Sequence, residues 1–326
     1  MSPCEMKRVL GLVAGGFLIA ATLSVAQNSP TPEARAVAFL SKEVPRWSKE
    51  NGCYSCHNNG DGARALYVAK RLSHPVTREA LADTTAWLLR PNEWDNNKGN
   101  PGFSDKKLAR IQFAASLLEA LDAGEIRDAK LLVEAANALE KEQERDGSWR
   151  VDVESAIGSP ATYGTYLATY MARRTLEKAD AVRFAVQIAR ADSFLTEAKV
   201  ETMLAAAAVA LGLHDRLDPR AKNSAFEAVI LILRSQASDG GWGPYLNAPS
   251  EAFDTAIVLL ALLEYGDQPG VRARIALGRN YLIQTQLPSG GWPETTRPPG
   301  AQSYAEHIST SGWAALALVK TSSAGR

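Results

Sequence analysis

Two cysteines and a histidine lie close together near the amino terminus, in the segment Cys53-Tyr-Ser-Cys56-His57. Two thiols three positions apart can each form a thioether to one edge of a porphyrin, and the histidine that follows can reach the iron from the same turn. The C-x-x-C-H spacing therefore predicts a c-type haem attached through Cys53 and Cys56, with His57 as an axial ligand. Apart from the iron of this haem, the sequence predicts no metal site.

Three other interpretations of the same residues stay open. The two cysteines could form a local disulfide in an oxidising compartment. Together with His57 they could bind zinc, although a fourth ligand is not evident nearby. A thioredoxin-like redox pair belongs near a βαβ unit, and the sequence shows no strand-like alternation. The usual sixth haem ligand is not found either, because no methionine occurs between Met6 and Met171 and the nearest other histidine is His74.

The first 26 residues have the pattern of a secretory signal peptide. Lys7 and Arg8 precede an apolar run over residues 9–23, and Ser-Val-Ala26 supplies small residues at a cleavage site. We expect cleavage after Ala26 and export of residues 27–326 to the periplasm or another extracytoplasmic space. The alternative is a retained anchor, but its apolar core is short for a span of about 20 residues. We expect no membrane span after cleavage.

Charge and composition narrow the class of partner. The formal net charge is zero and 46% of the residues are hydrophobic. No basic stripe or block is present, so a nucleic-acid partner is not expected. The chain has enough apolar residues to bury a sizeable core.

Apolar residues recur at helical spacing throughout the remainder of the chain. The stripe from Leu108 to Leu121 leaves one polar face, which is typical of a half-buried amphipathic helix. By contrast, residues 203–213 and 256–263 are apolar nearly all round, and such helices must be surrounded by protein. Two kinds of helix predict two concentric layers.

A turn of fixed spacing recurs between the helices. In each copy a glutamine stands six residues before a tryptophan, with a glycine two residues before that tryptophan. The copies are Gln143-Gly147-Trp149, Gln236-Gly240-Trp242 and Gln286-Gly290-Trp292. The glycine suits a left-handed turn, and the tryptophan can bury its ring while its N–H seeks one acceptor. We interpret these residues as structural. A looser copy ends at Trp94.

The spacing of the turns predicts an array of helical hairpins. The tryptophans are 93 and 50 residues apart, which fits a unit of about 50 residues. Six such units fill residues 27–326 as one domain. The predicted hairpins are 32–72, 78–122, 128–175, 178–213, 221–265 and 270–321.

These turns resemble the QW motifs of the squalene/hopene cyclase and protein prenyltransferase superfamily. The resemblance implies an all-α fold, an α/α toroid whose inner helices line a cavity that could take a small apolar ligand. Gly290-Gly291-Trp292-Pro293 is also similar to a turn of toroidal pectate lyases, which would imply a glycan ligand.

The catalytic residues of that superfamily are carried over only in part. Squalene-type cyclases use an aspartate in a D-x-D-D-T-A segment, which corresponds here to residues 251–256. Phe253 stands at the position of the acid, so Asp254 is the remaining candidate, and it could equally be a charge that stabilises a helix amino terminus. Ala256 stands where prenyltransferases have a zinc-binding cysteine. The residues leave open whether this chain is an enzyme.

Other residues are candidates for the cavity wall. Tyr163, Tyr166 and Tyr170 lie on one helix face, and His307 lies in a predicted loop before the last inner helix. The alternatives are ordinary core packing for the tyrosines and a solvated loop position for His307. We therefore expect an exported toroid without the usual cyclase acid, acting as a haem-c redox or ligand-binding accessory protein whose redox partner the sequence does not indicate. The alternative is a cavity enzyme of the terpenoid cyclase, isomerase or polysaccharide lyase type.

Overall fold

Helices account for all of the regular structure in the part of the chain that the structure describes. The computed structural model describes residues 29–99, 105–151, 157–297 and 299–323, and no strand occurs within these ranges. The predicted signal peptide, residues 1–26, lies outside the described residues. Thr31–Arg326 forms one compact unit.

Twelve α-helices are found in the described ranges. They are α1 (Pro32–Asn51), α2 (Ala63–Arg71), α3 (Arg78–Leu88), α4 (Lys106–Asp122), α5 (Lys130–Glu140), α6 (Gly164–Asp180), α7 (Ala185–Thr196), α8 (Met203–Leu213), α9 (Pro219–Arg234), α10 (Ala252–Leu263), α11 (Val271–Thr285) and α12 (Tyr304–Ser323). A π-helical segment, Cys56–Gly62, runs directly into α2, and a 3-10 turn, Pro91–Asn96, follows α3.

The helices form two concentric layers. The even-numbered helices contact one another in chain order, and α12 returns to contact α2 and the π-helical segment. They form a closed inner ring. The odd-numbered helices pack outside this ring, each against an inner helix next to it in the chain; α9, for example, packs against α8. The prediction of an all-α, α/α toroid of about six hairpins is confirmed. The third hairpin is longer than predicted, because α6 continues past residue 175 to Asp180.

Burial explains why two of the inner helices, α8 and α10, are apolar all round. Helix α4, which the sequence predicted to be half-buried, is also an inner helix and is buried throughout residues 111–120. Every residue of α8 is buried, and so is every residue of α10 from Ala252 to Leu262. Protein surrounds these helices on all sides, so a polar face would have to be desolvated. Within the described ranges, no helix combines the length and the apolarity that crossing a bilayer requires.

The three repeated turns make the same hydrogen bonds. Each tryptophan donates its indole N–H, at 2.8 Å, to a carbonyl in the last turn of the preceding outer helix; the acceptors are Leu139, Ile232 and Leu282. Each tryptophan also donates its backbone N–H to a hydroxyl of the following inner helix, on Thr169, Thr255 and Ser311. The turn therefore fixes an outer helix to an inner helix.

The glutamine of each turn extends this link to the next hairpin. Its amide donates to the carbonyl of the turn glycine and to a carbonyl in the first turn of the next outer helix, on Gln187, Arg274 and Pro32. The bond from Gln286 to Pro32, at 2.9 Å, joins the last hairpin to α1. The third turn therefore closes the ring.

Side chains fill the middle of the ring. Asp61, Arg64, Tyr163, Phe253 and Trp313 are each at most 3% exposed. The Arg64 guanidinium lies 3.9 Å from the centroid of the Trp313 ring, and Tyr163 and Phe253 contact the same ring edge-on. The expected single hollow is therefore divided, with one cavity towards each end of the inner helices.

Candidate functional site

The cysteines and the histidine of the C-x-x-C-H segment line one cavity. This cavity has a volume of ≈ 510 Å³ and lies beside the carboxyl end of α1 and the amino ends of α4 and α12. Aromatic and apolar side chains form much of its wall, including Trp47, Tyr54, Leu108 and Tyr304. The volume is within the range of protein sites for small molecules and cofactors.

Local backbone geometry brings the segment to the cavity. Helix α1 is capped by Gly52, whose left-handed φ of 64° ends the helix just before Cys53. The Ser55 hydroxyl accepts the backbone N–H of His57 at 3.2 Å and caps the π-helical segment. π-Helical turns of this kind are frequent at functional sites.

The residues after the histidine anchor the segment in the core. The Asn58 amide donates to the Glu43 carbonyl at 2.9 Å, and the Asn59 amide donates to the Thr84 hydroxyl at 2.7 Å. At Gly60, an added Cβ would lie 2.8 Å from the Cβ of Gln112. Close packing therefore holds Cys56 and His57 in a fixed position.

A hydrogen-bonded chain orients the imidazole of His57. Its Nδ1 lies 3.0 Å from the Ser309 hydroxyl oxygen, and that hydroxyl donates to Asp61 at 2.8 Å. Because Ser309 uses its only proton on Asp61, its oxygen accepts from His57, which places the imidazole proton on Nδ1. Burial lowers the pKa of His57 to about 4, so the ring is neutral near pH 7. The lone pair on Nε2 faces the Cys56 sulfur and accepts its S–H.

Asp61 is the centre of this chain. Tyr163 donates to its Oδ1, and Gln112 donates to its Oδ2 at 2.8 Å. Arg64 lies 3.5 Å from Oδ1. Burial raises the pKa of Asp61, while Arg64 and the three donors counteract that shift. Three hydrogen-bond donors and the charge of Arg64 stabilise a carboxylate here, and the carboxylate in turn fixes Ser309 and His57.

Both thiols are free in the structure. Cys53 accepts the indole N–H of Trp47 at 3.2 Å, and the Cys56 sulfur lies 3.6 Å from Nε2 of His57. Burial raises the pKa of Cys56 to about 12, so the thiol is neutral and is not a thiolate nucleophile at ordinary pH. Among the described residues, no three His, Cys, Asp or Glu side chains are grouped to hold a bare metal ion.

The second cavity, of ≈ 360 Å³, lies at the carboxyl ends of the inner helices. Arg64, Tyr170 and His214 line it together with several charged residues. Its arginines are paired with carboxylates; for example, Arg174 donates to Glu119 at 2.8 Å. Arg64 both lines this cavity and pairs with Asp61.

Asp254 lies away from both of these cavities. It is fully buried and forms an ion pair with Arg297, which also pairs with Glu251 at 3.1 Å. Burial, together with the nearby charge of Glu251, raises the pKa of Asp254 to about 7 despite Arg297. The neighbouring Phe253 packs edge-on against Trp313.

The predicted cavity residues lie in different surroundings. Tyr163 is buried and donates to Asp61, Tyr166 packs against Phe194, and only Tyr170 of the three tyrosines lines the second cavity. His307 lies within the first turn of α12 and not in a loop, because the helix already begins at Tyr304. Its ring packs edge-on against Phe39.

Sequence reasoning did not single out Asp61, Arg64, Gln112 or Ser309. Asp61 was visible only as part of the polar run after the histidine. Ser309 was visible as part of Ser309-Thr-Ser311, a polar stretch in an otherwise apolar inner helix. Buried polar residues need partners, so this stretch was a signal that could have been used.

Comparison with known proteins gives the fold but not the activity. No protein family matches the sequence. The drimenyl diphosphate synthase of Streptantibioticus cattleyicolor is 26% identical over 224 residues, which cover 65% of this chain and 41% of that enzyme. The chain thus spans less than half the length of this relative.

Several solved structures share the architecture. The type II terpene cyclase MstE from Scytonema superposes with a TM-score of 0.56 at 16% identity, over 90% of this chain and 98% of that one. The ent-copalyl diphosphate synthase from Streptomyces platensis gives a TM-score of 0.51 at 20% identity, over 79% of this chain and 50% of that one. A polysaccharide lyase gives 0.51 at 12% identity, over 90% and 99%. The chain has a terpene-cyclase-like toroid fold.

Proposed function

We propose that this chain is an exported toroid protein that carries a c-type haem on Cys53 and Cys56, with His57 as axial ligand. One observation carries the proposal: both thiols and His57 line the same cavity. The haem iron, when bound, supplies one-electron redox chemistry and a site for small ligands. A redox or ligand-binding accessory role follows from that chemistry.

The chain's own residues fit such a group in three respects. Both thiols are free, so each S–H can add across a vinyl group, with sulfur bonding one carbon and hydrogen the other. The Ser309–Asp61 chain keeps the proton of His57 on Nδ1, an arrangement typical of metal-ligating histidines. Aromatic and apolar side chains, among them Trp47 and Leu108, form a wall suited to a large flat ring.

A haem-stained denaturing gel tests the proposal. The full chain is expressed with its leader in a host that matures c-type cytochromes. We expect a stained band that Cys53→Ala/Cys56→Ala abolishes and that His214→Ala, a change outside the motif, leaves unchanged. The mass of the purified chain should correspond to residues 27–326 plus one haem. An unstained, folded wild-type protein contradicts haem attachment, and a mass that retains residues 1–26 contradicts cleavage.

A second function is suggested by the buried acid Asp254. A carboxyl with a pKa of about 7 is partly protonated near neutral pH and can protonate a carbon–carbon double bond. Terpenoid cyclase or isomerase activity on an apolar polyprenyl substrate would use that acid; the fold also supports polysaccharide lyases. Asp254 lies away from both cavities and is paired with Arg297, so we place this function second.

Substrate turnover distinguishes this second function. The purified chain is incubated with squalene, with geranylgeranyl diphosphate and with polygalacturonate. This second function would be established if Asp254→Asn reduces product formation at least a hundredfold. The control Asp146→Asn, which changes an exposed carboxylate, should leave product formation unchanged. No product from any of the three excludes these substrates, and equal turnover in Asp254→Asn removes Asp254 from the reaction.

A further inference from the structure

We propose that the second cavity, at the carboxyl ends of the inner helices, binds a small organic carboxylate with a short apolar body. The inference concerns two side chains that line this cavity towards the middle of the ring, Arg64 and Trp313. It does not depend on the proposed haem attachment, because the two cysteines and His57 line the other cavity. The carboxylate would accept hydrogen bonds from both side chains.

Arg64 has more hydrogen-bond donors than the protein uses. A guanidinium carries five N–H donors, and this one is 3% exposed. Its Nη1 donates at 3.7 Å to the thioether sulfur of Met171, which is a weak acceptor. Nε and Nη2 make no hydrogen bond with any described residue, although Nη2 lies 3.5 Å from Asp61. Buried polar groups nearly always have partners, so Arg64 retains the capacity to bind an acceptor from outside the chain.

The indole N–H of Trp313 is a second donor without an acceptor. Trp313 is 1% exposed, and its Nε1 makes no hydrogen bond within the described part of the chain. The N–H of a buried tryptophan usually finds a partner, as it does in all three repeated turns. The Arg64 guanidinium lies 3.9 Å from the centroid of the Trp313 ring. Two adjacent donors therefore match the two oxygens of one carboxylate.

Asp61 does not satisfy these donors. Its oxygens accept their hydrogen bonds from three other side chains, Tyr163, Gln112 and Ser309. An incoming carboxylate would replace the thioether sulfur on Nη1 of Arg64, because an ionised oxygen accepts a stronger hydrogen bond than a thioether does. A phosphate dianion would bring a second charge that no further guanidinium at this depth could pair, and a buried unpaired charge is costly. The site therefore favours a carboxylate.

Apolar side chains line the cavity between this pair of donors and the mouth. Trp313, Leu316 and Lys320 follow one another on one face of α12, at spacings of three and four residues. At 1.5 Å per residue, this face is about 10 Å long. Leu211 on α8 and Leu260 on α10 add to the apolar wall. The volume of ≈ 360 Å³ therefore suits a short hydrocarbon or aromatic body.

Two further arginines of the cavity are already paired with carboxylates. Arg173 lies 3.1 Å from Glu177, and Arg174 lies 2.8 Å from Glu119. A ligand that used either arginine would have to displace its carboxylate. The carboxylate of the ligand is therefore directed inwards to Arg64, and its apolar body lies towards the mouth.

Calorimetric titration of the full chain with octanoate and with hydrocinnamate tests this site. We expect saturable binding of at least one of these acids, one molecule per chain. The neutral amide of the same acid should bind at least tenfold more weakly, because it lacks the charge that strengthens the hydrogen bond from Arg64. Arg64→Met should lower the affinity for the acid at least tenfold and leave the affinity for the amide unchanged. Arg150→Gln, which changes an exposed arginine, is the matched control and should alter neither affinity.

Two other variants keep the test decisive if Arg64→Met does not fold. Trp313→Phe keeps a ring beside the guanidinium but removes the N–H, and it should weaken binding of the acid several-fold. Leu316→Trp fills the apolar wall with Arg64 intact, and it should abolish binding. Binding that Leu316→Trp leaves unchanged takes place elsewhere and overturns the site. No binding of either acid to the folded wild-type chain, or equal affinities for acid and amide, overturns the carboxylate site.

Discussion

At the scale of single residues, the molecule depends on buried charges with a small number of partners. Asp61 accepts three hydrogen bonds and lies beside Arg64, whereas Asp254 has, among the described residues, one counter-charge, Arg297. Removing one partner of a buried pair leaves an uncompensated charge, which costs about 3–5 kcal/mol. The two carboxyls should therefore respond differently to the loss of one neighbour.

We predict that Arg297→Gln destabilises the fold in a pH-dependent manner. The pKa of Asp254 is raised to about 7 in the folded protein, above about 3.9 for an unfolded aspartate. The folded state thus holds the proton more tightly, and stability falls as pH rises between these two values. Without Arg297 the ionised form loses its counter-charge, so the loss should be about 3 kcal/mol at pH 8 and smaller at pH 5.

Urea unfolding at the two pH values measures this difference. Arg150→Gln is the matched control, because Arg150 is mostly exposed and pairs with Asp146. Despite partial burial, hydrogen bonds from Ser148 and Arg150 lower the pKa of Asp146 to about 2, so it stays ionised from pH 5 to 8. The control should lose little stability, because the pair is exposed and screened by solvent, and the loss should be equal at both pH values. An equal loss at pH 5 and pH 8 for Arg297→Gln would show that Asp254 does not titrate in this range.

At the scale of elements, glycines in the turns permit left-handed backbone and, at Gly240, close contact with the neighbouring helix. Gly240 has a φ of 89°, and an added Cβ would lie 2.7 Å from the carbonyl oxygen of Leu277 on α11. Gly124 has a φ of 73° but no atom within 4 Å of such a Cβ. Comparing alanine substitutions at the two positions distinguishes the cost of a strained backbone from the cost of crowding against α11.

We predict that Gly240→Ala destabilises the protein more than Gly124→Ala does. Gly124→Ala should cost about 1–2 kcal/mol, because only the left-handed backbone opposes the side chain. Gly240→Ala adds overpacking against α11, which costs about 1–3 kcal/mol more. Thermal or urea unfolding of both variants gives the comparison, and equal losses would mean that the contact with α11 is relieved at no cost.

The repeated turn made the elements predictable from the sequence. Its three copies fixed the period and gave hairpin limits close to those observed, because the same hydrogen bonds recur at the same spacing. The third hairpin was placed too short, since no turn glycine marks the end of α6. Local signals determined the hairpins well.

At the scale of the whole molecule, the ring brings together residues that local patterns cannot connect. Ser309 and Asp61 are 248 positions apart, and Tyr163 is 102 positions from Asp61. Tyr163 precedes α6 with a positive φ of 62°, so its spacing from Tyr166 and Tyr170 does not show which partner it meets. The closed middle of the ring was missed for the same reason, since Arg64 and Trp313 meet only after closure.

The hydrogen bond from Gln286 to Pro32 has a consequence for how the protein unfolds. A linear stack of repeats loosens from its outermost units, because each of those has a neighbour on one side only. Here the first and last hairpins flank each other, so every hairpin is held on both sides. Local opening of one hairpin must therefore break two interfaces at once. The ring should unfold in one cooperative transition, without earlier unfolding of the first or last hairpin.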